Sequence, residues 1–144
     1  MPRRALLRFA SAEQAQAAFY QAFEQADPLA MMQVWAEDEE VICVHPGGER
    51  LVGTEAVRES WRALFQAGPQ MHFEIAQVHT LAGRTSAVYN LCERIRVDGD
   101  LRVHAVLATN VYLLTPGGWR MVMHHASPLP QGAEGSEPVT GTVH

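Results

Sequence analysis

Residues Ala108 to Ser127 read A-T-N-V-Y-L-L-T-P-G-G-W-R-M-V-M-H-H-A-S: an apolar run, a Pro116-Gly117-Gly118 turn, and a second run ending on two histidines. Two β-type runs joined by such a turn read as neighbouring antiparallel strands. Side chains alternate along a strand, so Trp119, Met121, Met123 and His125 share one side, and Arg120, Val122 and His124 the other. A face of Trp, Met and Met ending in His has the pattern of an apolar pocket wall with one polar tip. A core strand whose last His meets water at the rim has the same pattern.

The strand signal continues upstream. Met71, Phe73 and Ile75 alternate with His72 and Glu74, Arg84 to Val97 is a second long run, and Asp100 to Leu114 is a third behind the Asp98-Gly99 hairpin turn. Before residue 70 the period changes to helical. Ser11 and Gln14 form a capping-box pattern ahead of Ala15, Ala18, Phe19, Ala22, Phe23 and Ala26, spaced at three and four. Asp27-Pro28 ends that helix and starts a short second one, predicted to carry Leu29, Met32 and Trp35 towards the core. Val41 to His45 is a strand stopped by Pro46-Gly47-Gly48, with Glu49 to Val52 as its return. Thr54 is read as the cap of a third helix with the buried stripe Val57, Trp61, Leu64 and Phe65. Helices followed by a meander of long strands predict an α+β fold. The folded domain is predicted over residues 11–129, with a flexible N-terminus at 1–10 and a flexible tail rich in Pro, Gly, Ser and Thr at 130–144.

Composition narrows the partners. The 144 residues are 47% hydrophobic and 19% charged, and a net charge of -5 argues against nucleic acid and anionic membranes, which reward basic surfaces. No apolar run approaches the roughly 20 residues that span a bilayer. The opening M-P-R-R-A-L-L-R-F-A imitates a signal peptide, but Arg8 breaks its apolar stretch after three residues; a cytoplasmic protein is expected. Cys43 and Cys92 sit in apolar runs and read as buried free thiols.

V-I-C-V-H-P-G-G (41–48), L-V-G-T-E-A-V-R-E-S-W (51–61), A-T-N-V-Y (108–112) and G-G-W-R-M-V-M-H-H-A-S (117–127) together resemble the SnoaL-like group of the nuclear transport factor 2-like superfamily, over residues 11 to 129. The resemblance implies a curved antiparallel sheet wrapped as a cone around three N-terminal helices, with a pocket opening at one end. The superfamily includes ketosteroid isomerases, limonene epoxide hydrolases, polyketide cyclases, scytalone dehydratase, a kinase association domain and many binders without catalysis, so the fold alone does not choose a function.

His45 ends a strand beside a tight turn, where imidazole serves as base, acid or ligand, or simply bonds turn backbone. The resemblance sets its motif near the cavity. Glu93 shares a strand face with Tyr89 and Leu91; burial there would raise its pKa, whereas pairing with Arg94 or Arg102 on a solvated face would not. The three arginines Arg94, Arg96 and Arg102 around one hairpin favour the paired, outward state. Asn110 lies in an apolar run and must find hydrogen-bond partners. The isomerase and hydrolase carboxylate sets do not transfer residue by residue, because the acids of strands 71–127 are Glu74, Glu93 and two turn aspartates, Asp98 and Asp100. The leading expectation is a small, largely apolar ligand in a cavity lined by Trp35, His45, Trp61, Asn110, Met121 and His125, with no metal or cofactor. The alternatives are an isomerase, cyclase or dehydratase moving protons through Glu93, His125 or His45, and an oligomerising module. Apolar residues on both faces of Asp100 to Leu114 predict a homodimer through the sheet.

Overall fold

A computed structural model describes residues 8–130; the predicted tail from residue 131 on and the first seven residues lie outside the described residues. Helix α1 spans Ala12–Gln25. Ser11 Oγ accepts from the Gln14 N–H at 3.1 Å, and Gln14 Oε1 accepts in return from the Ala10 N–H at 2.9 Å. The Ser11 cap therefore forms as the sequence spells it, while Gln14 reaches back one residue past the cap, to the Ala10 N–H. Helix α2 (Pro28–Val34) starts at the Asp27 cap, whose carboxylate accepts from the Ala30 N–H at 3.1 Å. Its inward face is Met31 and Val34, together with Trp35 just beyond the helix. The predicted face was off by one position: Leu29 is 64% exposed and Met32 only half-buried.

Helix α3 (Thr54–Ala67) begins one residue earlier than expected, with Gly53 at the cap and Thr54 inside the helix. Thr54 does not cap; its hydroxyl oxygen accepts from the Asp38 N–H at 2.8 Å and ties the 37–40 loop to the helix. Gly53 has φ +96°, a backbone conformation open to glycine and costly for other residues.

The strands are β1 (Ile42–Val44), β2 (Leu51–Val52), β3 (Met71–Ala82), β4 (Ser86–Val97), β5 (Val103–Thr115) and β6 (Gly118–Pro128). They form one six-stranded sheet in the order β2-β1-β6-β5-β4-β3. β3 to β6 are the antiparallel meander read from the sequence, and β1 joins β6 in parallel. Two irregularities bend it. On β3, two residues (Gln77 and Val78) oppose one on β4, with Gln77 at φ +54°. On β6, Val122 is an extra residue: Val111 pairs with Met123, but Tyr112 pairs with Met121. Bulges of this kind increase twist and curl a sheet.

The helices lie against the concave face. Phe19, Trp61, Val57, Leu91, Ala108 and Met121 are almost entirely buried between the layers. Phe19, Phe23, Trp61 and Phe73 meet edge-on or tilted, with centroids 4.3 to 5.8 Å apart. Such contacts add to the burial of large rings, worth roughly 1.5–3 kcal/mol per fully buried apolar side chain. Cys43 and Cys92 are free and buried. No helix among the described residues is long and apolar enough to cross a membrane.

Candidate functional site

A chain of polar side chains crosses this aromatic interior. Glu93 on β4 is 1% exposed, and its Oε2 accepts from the Tyr20 hydroxyl of α1 at 2.5 Å. The Tyr20 oxygen accepts in turn from Asn110 Nδ2 at 3.0 Å. Asn110, opposite Tyr89 on β5, also donates to Gln16 Oε1 at 3.0 Å, and Tyr112 donates to that same oxygen at 2.5 Å. On its other side Asn110 Oδ1 lies 2.6 Å from His124 Nδ1. A carbonyl oxygen only accepts, so His124 carries its proton on Nδ1, and Nε2 is left as the acceptor nitrogen. Every member of the chain thus has a partner, which low dielectric makes essential.

Burial sets the protonation states. Desolvation raises the Glu93 carboxyl to about 7, against a smaller lowering by the Tyr20 hydroxyl. It holds His124 neutral, with a pKa of about 3, helped by the nearby imidazoles of His45 and His125. Tyr20 and Tyr112 are pushed well above the usual phenol range, first by burial. The interior therefore offers one group that gains or loses a proton near neutrality, flanked by fixed hydrogen-bond donors.

The alternation of β4 is regular and carries Glu93 inwards with Leu91. The expected outward pairing does not occur, because the arginines are otherwise engaged: Arg94 binds Glu74 at 3.2 Å, and Arg102 binds Asp100 at 3.4 Å. His125 is exposed and points away from the interior. The bulge at Val122 inverts the phase of β6 halfway along, so Met121 and His124, not Met121 and His125, face inwards. Trp61 is fully buried with its ring 6.0 Å from that of His124 and 4.7 Å from that of His45. His45 is half-buried, its Nε2 3.0 Å from Ser60 Oγ and 3.6 Å from Cys43 Sγ. Ser60 gives its hydroxyl proton to the Val57 carbonyl at 2.8 Å, so His45 is the donor to Ser60. Burial lowers the His45 pKa.

Trp35 does not reach this chain. It is buried at the other side of α2, where it lines a separate groove with Leu29 and Met32. Tyr20, Gln16 and Tyr112 are the members that sequence reasoning missed, and His124 takes the inward place that the strand phase had given to His125. Gln16 and Tyr20 stand one turn apart beside the Ala15–Phe19 stripe, a polar pair at a helix spacing that could have flagged them. The indole N–H of Trp61 is buried and meets no acceptor. Among the described residues no three His, Cys, Asp or Glu come together as a metal site.

The SnoaL-like domain family profile matches residues 12–131, so the chain belongs to that family. Its fold is the cone-shaped α+β architecture of nuclear transport factor 2-like proteins. Among solved structures it is similar to a candidate calcium/calmodulin-dependent protein kinase type II association domain from Thiobacillus denitrificans, at 39% identity and TM-score 0.81 over 85% of this chain and 98% of that one. It is also similar to a candidate dehydratase of the NTF2-like family from Streptomyces avermitilis, at 32% identity and TM-score 0.75 over 82% and 93%. The F-box protein SKIP8 of Arabidopsis thaliana is 32% identical over 98 residues, covering 68% of this chain and 41% of that protein's length.

Proposed function

We propose that the protein binds a small, largely apolar molecule against the concave face of its sheet, and that Glu93 exchanges a proton with it. The observation that carries this reading is the Glu93 carboxyl, 1% exposed, held at 2.5 Å by Tyr20 and titrating near 7. A general acid or base works best when its pKa lies near the working pH. The Tyr20 and Asn110 protons are already given to Glu93, Gln16 and the Tyr20 oxygen, so they hold the carboxyl in place. His124 Nε2 is left as an acceptor that would orient a ligand hydroxyl. The orphaned Trp61 N–H, a costly thing to bury unpaired, would gain a partner from such a ligand. The reaction class is isomerase, cyclase or dehydratase, and the name of the Streptomyces avermitilis relative supports that class. His45, half-buried beside Trp61, serves at the mouth of the site.

One observation favours a second reading. Phe19 and Trp61 fill the interior, while the convex face exposes Leu107 and Leu113, each at 41%. A filled cone with an apolar outer face suits an association module that pairs through its sheet, and the name of the 39% identical relative supports it. Native mass spectrometry of freshly purified protein tests both readings. A co-purified small molecule, lost in Asn110→Leu, supports the first; a ligand-free dimer whose Glu93 carboxyl titrates below 6 by NMR sinks it.

A further inference from the structure

We infer that the groove between α2 and α3, on the outer side of α2, is a second ligand site that takes a small amphipathic carboxylate such as a medium-chain fatty acid. The groove encloses about 700 Å³, within the roughly 300–1,000 Å³ of small-molecule sites. Leu29, Met32 and Trp35 form an apolar wall, and Leu29 is 64% exposed although nothing in its short helix needs it there. Opposite them Arg58 and Arg62 stand one turn apart on α3. Their acidic neighbours hold them only within the helix: Arg58 binds the exposed Glu55 at 2.6 Å, and Arg62 reaches Glu59 at 3.8 Å. Exposed pairs of this kind are worth little and exchange readily.

Charge chooses the ligand's orientation. Glu37 and Asp38 are in the groove's lining, and Arg58 and Arg62 present two guanidinium groups from α3. Two guanidinium groups a turn apart match a carboxylate, which they can bind through paired N–H donors. A second observation is independent of the charges. The indole N–H of Trp35, a residue of the groove's own lining, is buried without an acceptor, and a carboxylate oxygen reaching it would supply one. Arg120 also lines the groove, with its guanidinium donating to the carbonyls of Gln33 and Gly117.

The test titrates the full chain with dodecanoate and, in parallel, with neutral dodecanol, followed by calorimetry and by the indole 1H–15N signals. Saturable one-to-one binding of dodecanoate, with the Trp35 signal moving and the Trp61 signal still, supports the site. Replacing both arginines (Arg58→Gln with Arg62→Gln) should weaken it about tenfold while dodecanol stays unchanged. Leu29→Glu, a substitution at an exposed position that leaves folding alone, should also weaken it. Absence of dodecanoate binding, equal affinity for dodecanol, indifference to both variants, or a shift confined to Trp61 would each overturn the proposal.

Discussion

Glutamine in place of Glu93 should remove a pH dependence from folding stability. In the folded chain the carboxyl is raised from 4.5 to about 7, so the folded state binds the proton more tightly than the unfolded state. Stability from this group is fully present below pH 4.5 and is lost as pH rises through 7. The loss amounts to about 3 kcal/mol, since each pKa unit corresponds to roughly 1.4 kcal/mol. Glutamine keeps an acceptor for the Tyr20 hydroxyl and cannot ionise, though its amide N–H groups need new partners at a cost of about 1 kcal/mol. The variant should therefore match or fall slightly below the parent near pH 4.5 and exceed it by about 2 kcal/mol near pH 8. His124 bends the parent's profile the other way: its pKa is lowered to about 3, so its contribution is present above 6.5 and lost on acidification. Both proteins carry His124, so it cancels in their difference. Urea unfolding followed by tryptophan fluorescence from pH 4.5 to 8 measures that difference, and 2 kcal/mol would move the midpoint by about 1 M. A difference that stays flat with pH, or that shrinks on going alkaline, would refute the burial argument for Glu93.

Three further outcomes are expected. Trp61→Ala should cost about 3–5 kcal/mol, because its fully buried ring touches Phe19, Phe23, Phe65 and His45; thermal or chemical unfolding measures this. The His124 ring should remain neutral with its proton on Nδ1 down to about pH 4, which 15N chemical shifts of the imidazole report; protonation near pH 6 would mean that the ring reaches water. If the convex face pairs two copies, Leu107→Glu together with Leu113→Glu should yield monomers in sedimentation velocity at micromolar concentration while leaving the circular dichroism spectrum intact.

Period-two and period-three-to-four patterns made the fold legible, because long strands and amphipathic helices repeat their signal many times over. The site was legible only in part. Asn110 announced itself as an amide in an apolar run, and the alternation of β4 set Glu93 beside Leu91. The preference for an outward Glu93 failed because nearness in sequence to Arg94 and Arg102 says nothing about the partners those arginines already have in Glu74 and Asp100. His125 was misassigned for a different reason. One extra residue, Val122, carries no distinctive chemistry, yet it inverts every side chain after it. In α2, seven residues were too few to fix the phase of the helix, and the apolar set Leu29–Met32–Trp35 competed with Met31–Val34.

The bulge at Val122 also sets how the N-terminal hairpin meets the rest of the sheet. β1 docks in parallel on the stretch of β6 that follows the bulge, Cys43 beside His124 and Val44 beside His125. Because Val122 shifts the phase of β6, the residue beside the inward Cys43 is His124 and not His125. The pairing spans about 80 residues of chain, a separation whose loop closure is costly. Among the described strands, β1 meets only β2 and β6, so the β1–β2 hairpin is joined to the meander through this one parallel pairing.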